Sequence, residues 1–503
     1  MKRKELLLAT IFTAILMIFS YSNQADAFTI DRIAGEDRYE TAVEISKQGW
    51  PDGATAVLIA RGKDFPDALA GAPLAYQKGG PILLTKSGEI PRATLEEIDR
   101  LNPSEIVILG GPNAVSRQVE GELAQRFKMK TTRVGGEDRY ETAAIISGML
   151  PNKTEAIIVS GEKFPDAMTI APYASRKGIP LLLTKRTNLP PETADALTNR
   201  NNTILVGGTT VIDEQVESKL PSSWRIAGED RYATSAEVAR GLPMGNAEEA
   251  FVATGLDFAD GLTGAVLAAT SNDEILLTER DYVSNAVKIA VHERGLENFH
   301  ILGGYRVIDQ YVDTELSLPI QMLLVNKERG IPSSYEPDRL TEPDVPFPFS
   351  DDRPKRYMSS EAAGQLGNMF DQAWNQGVEL YAKSGYRSYD RQKELHDYYT
   401  RTYGEEYADR ISAEPGHSEH QTGLAMDVTS AEIDYQLIEE FADTEEGQWV
   451  AENAADYGFI IRYPEGKEYM TGYKYEPWHL RYVGVRAAQY IDQQNWTLET
   501  YLR

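Results

Sequence analysis

Four landmarks recur three times in the same order along the chain up to about residue 316. RIAGEDRYETA at Arg32 returns as RVGGEDRYETA at Arg133 and RIAGEDRYATS at Arg225. GKDFPDALAGAPLA at Gly62 returns as GEKFPDAMTIAPYA at Gly161 and GLDFADGLTGAVLA at Gly255. PILLT, PLLLT and EILLT follow in turn, and then VILGG, ILVGG and HILGG. The first landmark is spaced by 101 and then 92 residues. Ordered self-similarity over such a period means three copies of one domain, each long enough to bury a core.

Within one copy the hydrophobic period switches regularly. AVLIA at 56, PILLT at 81 and EIVILGG at 105 are apolar runs of strand length, and the segments between them space their apolar residues as helices do. Alternating strands and helices imply a parallel sheet covered on both faces, so each copy is expected to be a small three-layer α/β domain. The repeated polar residues have structural explanations. Asp37 with Glu40, and Asp138 with Glu141, fit a capping box at a helix start, while Ala233 removes half of it from the third copy. The Gly-Gly pairs after the third strand permit a tight turn. No nucleophile and base recur together, so no enzyme is expected in this region. Arg38, Arg139 and Arg231 follow GED in each copy; repetition makes them candidates for an anionic ligand or for fixed internal ion pairs.

Composition narrows the chemistry. The chain has 6 histidines and 0 cysteines, so a metal here must be held by His, Asp or Glu. A formal net charge of -26 argues against nucleic acid or an anionic membrane as partner. Residues 1–27 have a basic start, an apolar run from Leu6 to Phe19, and Ala25 and Ala27 around Asp26. That is the pattern of a secretory signal cut before Phe28; an uncleaved membrane anchor is the alternative. No later segment is apolar enough to cross a bilayer.

After Leu316 the repeat stops. Residues Leu323 to Phe349 are rich in Pro and charge and read as an extended lead-in without much regular structure. Beyond it, PGHSEHQTGLAMDVT (415–429) places two histidines ahead of a strand-like LAMDV, and a glycine before that strand lets His420 and Asp427 converge. A catalytic zinc typically takes three protein ligands, and EPWHLRYVG at the far end offers His479 as the third. Glu476 then stays outside the coordination sphere as the base that takes a proton from water and returns it to the departing amine. Arg387, in SGYRSYDRQ, supplies a permanent cation where negative charge develops, and Ser418 and Gln392 are neutral groups able to orient a peptide. His417 would point away in an extended segment and is left out of the ligand set.

Two resemblances fit these blocks. RIAGEDRYETA, FPDALAGAPLA and ILGG resemble the type 2 cell-wall-binding repeat over about residues 28 to 316. That resemblance implies Rossmann-like copies around a pseudo-threefold axis, holding a surface protein to anionic wall polymers of Gram-positive bacteria. The third copy departs from the pattern: Ala259 replaces the proline of FPD, Gly261 its alanine, and Glu279 the lysine after LLT. SGYRS, SEHQTGLAMD and EPWH resemble the VanY-type D-alanyl-D-alanine carboxypeptidases over about residues 320 to 503. That resemblance implies one zinc ion held by His420, Asp427 and His479, with Glu476 as catalytic base and Arg387 near the scissile carbonyl. It also implies that Ser418 and Gln392 hold the substrate, and that the domain is α+β with an antiparallel sheet under the metal.

The expected organisation is therefore a signal peptide (1–27), three repeats (28–125, 126–222 and 223–316) and a peptidase domain (317–503, with a lead-in over 317–350). The expected protein is secreted and wall-associated, and it removes the terminal D-alanine from peptidoglycan stem peptides. An L,D-carboxypeptidase or stem-peptide endopeptidase is the alternative within the fold. A non-catalytic wall-binding protein is the alternative outside it.

Overall fold

The computed structural model describes residues 28–63, 68, 70–245 and 248–503, so the expected signal peptide lies outside the described residues. The repeats build three four-stranded parallel sheets. In the first, β2 (Ala56–Arg61), β3 (Ile82–Thr85) and β4 (Glu105–Leu109) are joined by β5 (Lys130–Val134). The second contains β6 (Glu155–Ser160), β7 (Leu181–Thr184) and β8 (Asn202–Val206), with β9 (Ser223–Ile226) beside β8. The third contains β10 (Glu249–Thr254), β11 (Glu274–Thr278) and β12 (Asn298–Leu302), and is completed by β1 (Thr29–Ile33) from the start of the chain.

The structural units are thus offset by one strand from the sequence boundaries 28–125, 126–222 and 223–316. Each RIAGEDRY block contributes its strand to a neighbouring sheet, and the exchange is cyclic. The arginine that opens the block locks each exchange. Arg133 on β5 donates to the Gly110 carbonyl at 2.8 Å and pairs with Glu120 at 3.0 Å. Arg225 on β9 grips Ile212 O (3.0 Å) and Glu217 (2.8 Å), and Arg32 on β1 grips Gly303 O (2.9 Å) and Asp313 (2.7 Å). At the closing seam, His300 on β12 reaches Asp31 on β1 at 2.6 Å and Glu249 on β10 at 3.4 Å.

The helices that begin within or just after the FPD block, Ala72–Lys78, Pro165–Lys177 and Ala259–Ser271, pack against one another at the centre of the ring. An alanine at the same motif position in each copy, Ala72, Ala171 and Ala265, is buried there in the main core; a small side chain lets helix backbones approach closely. The capping residues act as their types suggest. Asp37 accepts from the N–H groups of Tyr39 and Glu40, Asp138 from Tyr140 and Glu141, and Asp230 from Ala233. Each GED arginine has an internal partner: Arg38 donates to Gly62 O at 2.6 Å and pairs with Asp257 at 3.0 Å, and Arg139 and Arg231 donate to the carbonyls of Gly161 and Gly255.

The lead-in has little regular structure, as expected, but it is not an exposed linker. Leu323, Val325, Ile331 and Tyr335 form a buried cluster with Ile289 of the third repeat. Asn285 there donates to Leu324 O at 2.8 Å and Gly330 O at 3.1 Å. Beyond a two-residue ribbon of β13 (Leu340–Thr341) and β14 (Met358–Ser359), the C-terminal domain is α+β. Its antiparallel sheet has the order β15 (Tyr381–Ser384), β16 (Ala425–Thr429), β18 (Glu476–Tyr482), β17 (Phe459–Tyr463). Helix Ser360–Asn375 buries Leu366, Met369 and Phe370 in one core with Met426, Val428 and Leu480 of the sheet. Among the described residues no helix is long and apolar enough to cross a membrane.

The strand exchange predicts unequal effects for two arginines that share Glu120. Arg133→Ala removes half-buried, charge-assisted hydrogen bonds and is expected to lower the stability of the repeat module by about 1.5–3 kcal/mol. Arg117→Ala removes an exposed pair and is expected to cost under about 1 kcal/mol. Urea midpoints of the two variants check this ordering.

Candidate functional site

The site is built across two neighbouring strands. Asp427 on β16 and His479 on β18 are register partners, which brings His479 Nδ1 to 3.0 Å from Asp427 Oδ1. His420 stands on a 3-10 turn, Glu419–Thr422, just before β16. Gly423, with φ of 70°, reverses the chain there and returns it as a strand, so His420 Nε2 lies 3.5 Å from Asp427 Oδ2. The two imidazole rings meet edge to face with centroids 4.9 Å apart.

Glu476 and His479 are three residues apart, a spacing that puts side chains on opposite faces of a regular strand. The register of β17 and β18 resolves this. Ile461 pairs with Leu480, but Tyr463 pairs with Glu476, so β18 bulges at Pro477 and Trp478. Within this irregular stretch the regular alternation of faces is lost, and Glu476 Oε2 lies 3.8 Å from His479 Nδ1.

Among the described residues His420, Asp427 and His479 form the group able to hold a metal ion, with ligand atoms all within 4.8 Å of one another. Their environment fits a divalent cation. Asp427 Oδ1 is buried without a well-aligned hydrogen bond, so its lone pairs are free for coordination. His420 Nδ1 lies 2.9 Å from the Gly385 carbonyl, an acceptor, which leaves Nε2 as the unprotonated nitrogen facing Asp427. Burial, reinforced by Arg387 and His479, pushes the His420 imidazole down to about 3, so it is neutral. His479 differs: burial opposes its charge, yet Asp427 and Glu419 draw it up to about 9, so a metal must displace a proton from it. Without metal, protonated His479 and Arg387 face the carboxylates of Asp427 and Glu476; a divalent ion bound there would take the place of the His479 proton.

Burial pushes the Glu476 carboxyl up to about 7, with Asp427 and Glu419 adding to the rise and His479 and Arg387 opposing it. Arg387 follows β15, and its N–H donates to the His420 carbonyl at 3.1 Å. Its guanidinium donates to Gln392 Oε1 at 2.8 Å. This changes the expected part of Gln392. At 1% exposure, its amide is occupied by Arg387, Ser412 Oγ (3.0 Å) and the Ala413 carbonyl (2.5 Å), so it supports Arg387 and offers a substrate nothing. Ser418 is buried at the entry of the 3-10 turn. His417 lies outside the group, with Nδ1 at 2.7 Å from the Asn326 carbonyl.

Charged residues missed in the sequence stand directly behind the ligands. Glu419 is fully buried between Arg462 and Arg481, with Arg462 also paired to Glu499. Burial alone would raise the Glu419 carboxyl, but Arg481 and Arg462 outweigh it and hold it far below the usual range. The available signal was an arginine inside each of two apolar strands, FIIRY and HLRY, since such residues are buried only when paired.

The family model described as VanY, D-alanyl-D-alanine carboxypeptidase, matches residues 355–485, around every one of these ligands. The model for cell wall binding domain 2 (CWB2) matches 32–120, 133–217 and 225–313, more than half of the chain. The chain belongs to the CWB2 family and ends in a VanY domain. The VanY domain is 53% identical over 180 residues to "Putative carboxypeptidase YodJ" of Bacillus subtilis, covering 36% of this chain and 66% of that protein. It is 38% identical to "Bifunctional D-Ala-D-Ala dipeptidase and D-Ala-D-Ala carboxypeptidase VanXYC" of Enterococcus gallinarum, over 35% of this chain and 91% of that protein. The solved structure of Cwp8 from Clostridium difficile is 30% identical with a TM-score of 0.54, covering 61% of this chain and 54% of that one. The chain thus spans only part of the first of these relatives and of Cwp8.

The VanY-domain geometry predicts that Zn2+ raises the thermal midpoint of metal-free protein, by the equivalent of about 2.7 kcal/mol at a hundredfold excess over Kd. Asp427→Ala is expected to abolish the shift, as read by differential scanning fluorimetry.

Proposed function

We propose that this protein is a wall-anchored zinc D,D-carboxypeptidase that removes the terminal D-alanine from peptidoglycan stem peptides. The observation that carries the proposal is the buried His420, Asp427, His479 group with Glu476 beside it in the irregular stretch of β18. The dipeptide-cleaving and carboxypeptidase activities named for VanXYC support the D,D reading.

Zinc held by His420, Asp427 and His479 would supply Lewis acidity, acidifying water and polarising a carbonyl. Glu476 takes the proton from the attacking water and delivers it to the leaving D-alanine nitrogen. Its raised carboxyl suits both tasks, since a group titrating near neutrality can accept and return a proton. Arg387, held by Gln392, faces the oxygen on which negative charge grows. Ser418, two residues before His420, is assigned to holding the terminal portion of the substrate.

The three repeats hold the enzyme to an anionic wall polymer. With the formal charge at -26, attraction must be local. One seam between repeats is a cavity of about 660 Å³ where Arg38 and Arg306 stand among Glu36, Asp37, Asp257 and Asp260, so backbone N–H groups or bridging cations would have to help take up the polymer's charge. Tethering raises the effective concentration of the peptidase at its substrate, so modest intrinsic affinity suffices. Residues 1–27 direct export and are then removed.

Mass spectrometry of muropeptides tests the reaction. Pentapeptide is expected to lose one alanine in a step that a chelator stops and Zn2+ restores. Glu476→Gln is expected to lower the rate about 10²–10⁴-fold while retaining metal. Loss of alanine from tetrapeptide instead would establish the L,D reading, and internal cleavage the endopeptidase reading. No change in any substrate, with binding to walls intact, would make the protein a non-catalytic wall binder. A separate measurement, the mass of protein recovered from the wall fraction, is expected to show a chain beginning at Phe28.

A further inference from the structure

The metal group accounts for one nitrogen of His479. Nδ1 faces Asp427, while Nε2 points to the opposite side, where it is buried and makes no hydrogen bond of normal length. Glu419 Oε2 lies 3.5 Å from it and is likewise buried without a normal hydrogen bond. Each atom is therefore the other's available partner. Leaving both unmatched would cost more than closing a gap of a few tenths of an ångström, because a buried polar atom without a partner forfeits its desolvation energy.

Glu419 has no freedom to turn elsewhere. Its second oxygen, Oε1, accepts from Arg462 Nε at 2.7 Å and from Arg481 Nη1 at 2.5 Å, and all three side chains are 0% exposed. Arg462 continues to Glu499 at 2.6 Å, and Arg481 to the carbonyls of Gln321 (2.9 Å) and Leu323 (2.7 Å) in the lead-in. Two acids and two arginines balance in charge, which lets the cluster exist without solvent. Its geometry leaves Oε2 facing Nε2 of the imidazole.

We infer that Glu419 is a positioning residue of the metal centre: by accepting the Nε2 proton of His479 it fixes the tautomer whose Nδ1 is free to bind the metal. An imidazole bearing its proton on Nε2 keeps its Nδ1 lone pair, and the carboxylate behind it orients the ring and raises its donor strength. Arg462 and Arg481 act one step further back by holding Glu419. The inference rests on His420, Asp427 and His479 being the metal ligands.

Full-length Glu419→Gln tests it, with Glu499→Gln as a control that disturbs the same Arg462 without touching His479. Zn2+ affinity is measured by competition with a chromophoric chelator, and the ligand field by the visible spectrum of the Co2+-loaded protein. Glu419→Gln is expected to weaken Zn2+ binding about 10- to 100-fold and to change the Co2+ spectrum, since an amide facing Nε2 can donate and so favour the wrong tautomer. Glu499→Gln is expected to lower thermal stability and leave both readouts at the parent values. Equal Zn2+ affinity and identical spectra in parent and Glu419→Gln would overturn the inference. Failure of the parent to bind Zn2+ would instead overturn the ligand assignment beneath it. If Glu419→Gln does not fold, 15N shifts of histidine-labelled, Zn2+-loaded parent decide the matter. A proton on Nε2 of His479 supports the inference, and a proton on Nδ1 defeats it.

Discussion

An unpaired strand edge governs the repeat module. Each copy by itself makes three parallel strands and leaves the outer side of its third strand open, with backbone N–H and C=O groups that need partners. The first strand of another copy fills that position, and the arginine beside it anchors the turn it meets. With three copies the place beside the last third strand is taken by β1, so every copy receives its fourth strand and the exchange closes. The central helices are drawn together by the same closure, which makes the three domains one core.

The peptidase domain depends on a different constraint, the pairing of buried charge. Arg462, Arg481, Glu419 and Glu499 pair with one another, and further donors of the two arginines take the carbonyls of Gln321, Leu323 and Val325. That segment is also the one seated on the third repeat through Asn285 and Ile289. The lead-in thus belongs to both halves: its side chains pack against the repeat, and its backbone closes the arginine cluster behind His479. This contact gives the peptidase a defined seat on the repeat module, where a solvated linker would let it wander.

Much of this was legible in the chain. The copy number, the alternation of strands and helices, the capping by Asp37 and Asp138, and the grouping of His420, Asp427 and His479 followed from repetition, periodicity and the lack of cysteine. What escaped were relations between distant segments. Nothing local marks Arg32 as a partner of Asp313, and although an arginine inside HLRY signals that Arg481 is paired, nothing local names Glu419 as its partner. The surroundings of Gln392 are hidden in the sequence for the same reason. Its polarity was visible, but not that Arg387 and the chain at 412–413 already occupy its amide.

The sequence by itself determined the three copies, their α/β class and the chemical types gathered at the site, since these depend on spacing along one chain. Only the tertiary structure decided which copy completes which sheet, that Glu476 lies beside His479 in an irregular stretch of β18, and that Glu419 stands behind that histidine. Those outcomes depend on which buried hydrogen-bonding groups find partners across tens or hundreds of residues, and that matching exists only once the chain has closed on itself.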